Sequence, residues 1–192
     1  FVPGAEGALD CAVRYRPLDG RSAASAVARK AGRFVFDIWG GRYGEVLEKT
    51  RQAIAYGLTD SLMIVHSWQR HGYDNRLPDI WPPNPLLGDP ADLAALSRLC
   101  AENDILFGVH DNYIDFYPDA EGYTYDNICM SPQGQPVKAW INQTHNAQSY
   151  RWRPDRFQPF LERNLALIKE GLAPSASFVD VFAAASPMDF YD

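Results

Sequence analysis

The sequence predicts an α/β fold, the first half of a (β/α)8 barrel made of four βα units with parallel strands. Three observations carry this prediction. Four short apolar runs, at 33–39, 61–68, 105–112 and 176–182, suit strands buried on both faces of a parallel sheet. Helix-period patterns separate them, so the order is β-α-β-α-β-α-β with right-handed crossovers. Each run closes on polar or aromatic residues, and the longest segments follow those ends, as on the functional face of a barrel.

Residues 1–32 stand apart. The stretch 8–16 alternates weakly, like a short strand, Pro17 to Gly20 has turn chemistry, and 22–31 is Ala-rich and helical. We read 1–32 as the end of a preceding β-rich, sandwich-like domain and a linker helix, and 33–192 as the barrel half. The chain opens on Phe1 without an initiator Met or a signal segment, and it stops just after the fourth run. A piece of a longer protein is therefore expected.

The first strand ends at Gly40 and Gly41. A helix follows from Tyr43 to Tyr56, with Val46, Leu47 and Ile54 on one side and Gly57 as a stop. After the second strand, Asp89 and Pro90 supply an N-cap and a first-turn proline to a helix whose apolar side carries Leu93, Leu96 and Leu99. The third helix runs from about Arg156 through Leu161, Leu165 and Ile168 to Gly171. Segments 69–88 and 113–155 are long for a compact domain and too aromatic for disorder, so they read as functional loops. No GxGxxG or P-loop follows any strand, which argues against a nucleotide-binding doubly wound sheet.

With 192 residues, 46% of them hydrophobic and 22% charged, the composition is that of a globular chain. A net charge of -6 argues against a nucleic-acid partner. No apolar run approaches the roughly 18 residues of a membrane span. Cys11, Cys100 and Cys129 are odd in number and far apart, so they form neither a disulfide framework nor a CxxC metal motif.

The candidate chemistry lies at the strand ends. Asp180 sits among apolar neighbours, where a carboxylate is costly unless hydrogen-bonded or functional. At the end of a fourth barrel strand it could serve as the nucleophile of a retaining glycosidase, or it could be a structural cap. Asp37 and Trp39 close the first strand, and His66 and Trp68 the second. His110, Asp111 and Asn112 close the third, with Asp115 just beyond. The imidazoles could bind hydroxyls or a metal, although HxH and HExxH spacings are absent. Tyr117 belongs to a group of loop aromatics (with Tyr73, Trp81, Tyr113, Phe116, Tyr123, Tyr125, Trp140, Tyr150 and Trp152) whose flat faces suit sugar C–H groups. Any one of them could equally pack the loop onto itself. Asn142 opens an N-glycosylation triplet.

The segment from Gly108 to Glu121, with His110, Asn112, Asp115 and the Tyr117, Pro118, Asp119 triplet, resembles the third strand of the endo-α-N-acetylgalactosaminidase-like family of glycoside hydrolases. The segment from Phe178 to Phe182 resembles that family's nucleophile strand, and Arg14 to Gly20 its link from a β-sandwich into the barrel. This resemblance implies retaining hydrolysis of an α-linked sugar in an O-glycan or oligosaccharide, without a cofactor. Asp180 would be the nucleophile, and Asp37, Trp68, His110 and Asn112 would line the sugar pocket. The acid/base carboxylate would come from a later strand, so the segment alone is expected to be inactive. The resemblance also points to an extracellular or cell-surface setting. Two other readings stay open: a metal-dependent barrel hydrolase using His66, His110 and Asp111, and a non-catalytic carbohydrate-binding protein.

Overall fold

The computed structural model describes residues 6–18 and 25–184. The chain divides into two compact units, Phe1–Gly32 and Arg33–Asp192. Among the described residues the first carries the helices α1 (Ala8–Leu18) and α2 (Ser25–Lys30). The strand expected over 8–16 is therefore helical. Asp10 accepts hydrogen bonds from the Glu6 backbone at 2.9 Å and from Arg14 Nε at 3.0 Å, and such spaced pairs favour a helix over weak alternation. Pro17 and Leu18, expected in a turn, belong to α1; Asp19 and Gly20 lie outside the described residues.

The second unit begins with β1 (Phe34–Ile38), α3 (Tyr43–Ala55), β2 (Ser61–Val65), α4 (Pro90–Glu102) and β3 (Leu106–Asp111). It continues through β4 (Asp115–Phe116), β5 (Lys138–Asn142), β6 (Ala147–Arg151), α5 (Gln158–Leu172) and β7 (Phe178–Val179). β1, β2, β3 and β7 form a four-stranded sheet in that order, with every neighbouring pair parallel. This is a mixed α/β architecture consistent with part of a barrel.

Burial follows the apolar runs in the middle of this sheet. Met63, Val65, Phe107 and Val109 are enclosed, and α4 adds Leu93, Leu96 and Cys100. The cap that starts α4 forms as the sequence predicts, with Asp89 Oδ1 accepting from the Ala91 N–H at 2.8 Å. β1 differs: Phe34 and Val35 are 64% and 50% exposed. A continuous apolar run predicts cover on both faces, yet β1 lies at a sheet edge among the described residues. No described helix is long and apolar enough to cross a membrane.

The fourth strand is shorter than its run. The Ser175 and Ala176 N–H groups both donate to the Phe107 carbonyl, so the run first joins β3 as a loop. β7 ends at Val179, and Val181, directly after Asp180, takes a left-handed φ of 66°, costly for a β-branched residue. Gly171, expected as a helix stop, lies inside α5, and Ala173 makes the left-handed exit instead. Gly171 has a packing role, since a Cβ there would lie 2.1 Å from the Trp81 ring.

The segment 113–155, read as a loop, carries a three-stranded antiparallel sheet in the order β4-β6-β5. Its buried aromatics Phe116, Tyr117 and Trp152 join the same hydrophobic core as the parallel sheet and α4. Phe116 and Trp152 stack at 3.7 Å, and Tyr113 and Tyr117 are fully enclosed.

Candidate active site

Register determines what meets at the carboxyl ends of the parallel strands. Ile38 pairs with Val65, Val65 with Val109, and His110 with Phe178. The next residues along β1, β2 and β3 are Trp39, His66 and His110, so four rings fall in one row across the sheet. Trp39 stacks on His66 at 4.0 Å, within 3° of parallel, and His110 stacks on Phe178 at 5.6 Å. Tyr73 leans across both imidazoles from the segment after β2.

A continuous polar network runs along this row. Trp39 Nε1 donates to Asp37 Oδ2 at 2.6 Å, and Asp37 Oδ1 meets His66 Nε2 at 2.5 Å. His66 Nδ1 faces His110 Nδ1 at 3.2 Å, and His110 Nε2 meets Asp74 Oδ1 at 2.8 Å. Asn112 then gives its amide protons to Asp74 at 2.9 Å and Asp115 at 2.7 Å. Its side-chain oxygen accepts from the Ile114 and Asp115 N–H groups. Asp115 accepts further bonds from Ser149 Oγ at 2.5 Å and from the Trp140 N–H at 3.0 Å, tying the antiparallel sheet to the strand ends. Each buried carboxylate is thus paired, as burial requires. The Trp39 N–H, followed by His66, holds the Asp37 carboxyl below the usual carboxylate range.

The network borders a cavity of about 420 Å³ whose walls include Tyr73, Asp74, Asn112, Asp115, Trp140 and Asp180. Asp180 is half-buried there. Its N–H donates to the Asp111 carbonyl at 2.9 Å, and its Oδ1 accepts from the Val181 N–H at 2.9 Å. Tyr73 lines the same cavity, and burial together with the surrounding carboxylates, Asp180 among them, pushes its phenol up. A separate hollow of about 270 Å³ between β1 and α3 is apolar, lined by Phe36, Ile38, Val46 and Met63, and lies away from this cluster.

Sequence reasoning placed Asp37, Trp39, His66, Trp68, His110, Asp111, Asn112, Asp115, Tyr117 and Asp180 together. The structure brings Asp37, Trp39, His66, His110, Asn112 and Asp115 into one network, with Asp180 beside it. Trp68 is fully buried below and donates to the His110 carbonyl at 2.7 Å. Tyr117 lies in the core, enclosed by the small sheet, with no ring face open to a sugar. Asp74 was missed, and so was the closeness of Tyr73 to Asp180. Asp74 adopts a left-handed φ of 40°, held by Gln69 Oε1 on its N–H and Asn142 Nδ2 on its carbonyl. Asn142, flagged as a glycosylation triplet, is buried with its amide engaged by the Tyr73 and Asp74 carbonyls, so that nitrogen is not presented for modification.

A metal reading based on His66, His110 and Asp111 gives way to different geometry. Asp74, His110 and Asp180 each bring one ligand atom within 4.8 Å of the others. Both Asp74 oxygens and both His110 nitrogens already have hydrogen-bond partners, so a cation there would displace the His110–Asp74 bond.

Asp111 faces away from this row. Its carboxyl accepts from the Tyr113 hydroxyl and, at 2.9 Å, from the Asn112 N–H. Burial nevertheless raises it to about 7, against those two bonds and the nearby His110, with Asp74 adding to the rise. An unfolded Asp ionises near about 4. Between these values the native state holds a proton that the unfolded chain has lost, so stability falls as pH rises. The expected slope is about 1.4 kcal/mol per pH unit between about 4 and about 7. Asp111→Asn should remove it, which urea unfolding of both proteins across that range would measure.

No protein-family model and no curated protein sequence matches the chain. Several solved structures share its fold. The α-N-acetylgalactosaminidase NagBb from Bifidobacterium bifidum aligns with a TM-score of 0.80 at 20% identity over 92% of this chain. The α-galactosidase TtGalA from Thermus thermophilus gives 0.56 at 19% identity over 80%. The GH36 α-galactosidase AgaA from Geobacillus stearothermophilus gives 0.57 at 16% over 88%. The chain spans 33% of the first, 33% of the second and 24% of the third. At these identities the likeness is one of fold.

Proposed function

We propose that this chain carries the nucleophile side of a retaining α-glycosidase acting on galactose-type sugars, either α-galactosides or α-N-acetylgalactosaminides. One observation supports this most: Asp180 follows the fourth parallel strand and borders a cavity of about 420 Å³ shared with Asp74, Asn112 and Asp115. That solved structures sharing the fold are α-glycosidases supports the same reading.

In the proposed reaction an Asp180 oxygen bonds to the anomeric carbon as the glycosidic C–O bond breaks. A second carboxyl group, about 5–5.5 Å away and contributed by residues beyond the described ones, gives its proton to the leaving oxygen. Water activated by that same group then cleaves the glycosyl ester and regenerates Asp180. The carboxylates of Asp74 and Asp115, which line the cavity, stabilise the positive charge that develops on the sugar ring.

Trp140, 44% exposed at the cavity rim and edge-on to Tyr73 at 6.2 Å, offers its face to the apolar side of the sugar. Trp140→Ala is expected to raise KM about tenfold with kcat little changed, the pattern of a contact equal in ground and transition states. Steady-state kinetics of the complete protein would read it.

The reaction itself is tested by hydrolysing aryl α-galactosides and aryl α-N-acetylgalactosaminides with the complete protein, following the first-formed anomer by proton NMR. Release of the α-anomer is expected. Release of the β-anomer would contradict the retaining mechanism. Binding without turnover would favour a carbohydrate-binding role, and activity lost to a chelator and restored by zinc a metal-dependent one.

A further inference from the structure

We infer that His66 and His110 act as a single cationic unit, an imidazole–imidazolium pair holding three ring protons, which positions Asp37 and, at the cavity edge, Asp74. The positioning role rests on the glycosidase reading; the proton count does not.

The count follows from donors and acceptors. Ionised carboxylates only accept hydrogen bonds. The outer nitrogens, Nε2 of each ring, face Asp37 at 2.5 Å and Asp74 at 2.8 Å, so each carries a proton. The inner nitrogens face each other at 3.2 Å, and that contact needs one proton between them. Two neutral rings would supply two protons, and this arrangement uses three. Moving that proton onto a carboxyl would leave the total of three unchanged. The N–H donors of Trp39 and Asn112 on the second oxygens of Asp37 and Asp74 favour the ionised carboxylates and so keep it on the rings.

The surroundings fix this arrangement. His66 is 2% and His110 0% exposed, with Trp39 stacked on one, Phe178 on the other and Tyr73 against both. Asp111 and Asp180 are the further carboxylates near His110. Neither ring has a nitrogen left for a sugar, so both act through the carboxylates they hold. One charge shared by two rings neutralises part of a carboxylate-rich cavity without adding a full cation at each end. Because the two rings sit on adjacent strands, the unit also locks the spacing of Asp37 and Asp74.

The test labels histidine with ¹⁵N in the complete protein and assigns the pair by comparison with His66→Gln and His66→Phe. Three protonated nitrogens over the two rings are expected, with one low-field proton shared by both Nδ1 atoms. In His66→Gln the amide can donate to Asp37 and accept from His110, so His110 alone should show both nitrogens protonated. Two protonated nitrogens in the unsubstituted pair, or a singly protonated His110 in His66→Gln, would overturn the cationic unit whatever the protein hydrolyses. The positioning role predicts that His66→Phe lowers kcat/KM about 100-fold, with His66→Gln recovering most of it. Unchanged kinetics in His66→Phe, with turnover intact, would overturn positioning while leaving the glycosidase reading in place.

Discussion

Asp180→Asn in the complete protein is expected to lower turnover at least about a thousandfold while the fold remains intact. The two effects separate because the structural contacts of Asp180 survive the change. Its N–H bond to the Asp111 carbonyl belongs to the backbone, and its Oδ1, which accepts from the Val181 N–H, has an equivalent in the asparagine amide. The substitution removes the anionic oxygen that would form the glycosyl ester, and a neutral amide is a poor substitute for it. The left-handed Val181 immediately afterwards holds this residue at a sharp end of the strand rather than along it. Unimpaired hydrolysis by the variant, with an unchanged unfolding profile, would remove Asp180 from the chemistry.

Asp115→Ala should markedly lower stability near the site, costing about 2–4 kcal/mol at about 1–3 kcal/mol per buried donor left without an acceptor. Asp115 is buried and accepts from Asn112 Nδ2, Ser149 Oγ and the Trp140 N–H. Alanine would leave the Trp140 N–H and one Asn112 amide proton without an acceptor, while the Ser149 hydroxyl keeps the Trp140 carbonyl at 2.8 Å. The loss should appear as a lower urea midpoint and as a Trp140 environment more open to quenchers. Asp115→Asn keeps one accepting oxygen but turns a second N–H donor toward groups that already donate, so its cost should lie between wild type and alanine. A change below about 1 kcal/mol in Asp115→Ala would show that these bonds are readily replaced by water.

The parts of this arrangement legible in the sequence are those set by strong local chemistry. The β-branched runs of β2 and β3 and the Asp89 and Pro90 cap of α4 appear where expected. Parallel register then carries Trp39, His66 and His110 to one end of the sheet. Their joining into a row was not legible, because it depends on which residues stand opposite, not on any residue alone. Asp74 was hidden for a related reason. Nothing nearby distinguishes it from Asp79, and its role arises from Asn142 and His110, far away in sequence. The antiparallel sheet escaped notice because β4 has two residues and β5 and β6 mix Lys138, Asn142, Gln148 and Arg151 among apolar ones. The helix α1 was misjudged because exposed Leu9, Val13 and Tyr15 give an alternation no core enforces.

The most direct test of the account is to trap the covalent intermediate. The complete protein would be incubated with an α-galactosyl fluoride bearing a second fluorine at C5, which slows breakdown of a glycosyl ester. Its peptides would then be sequenced by mass spectrometry. The account predicts one hexose-sized adduct on the peptide containing Asp180, absent in Asp180→Asn. An adduct on a different carboxylate, with the Asp180 peptide unmodified, would contradict it.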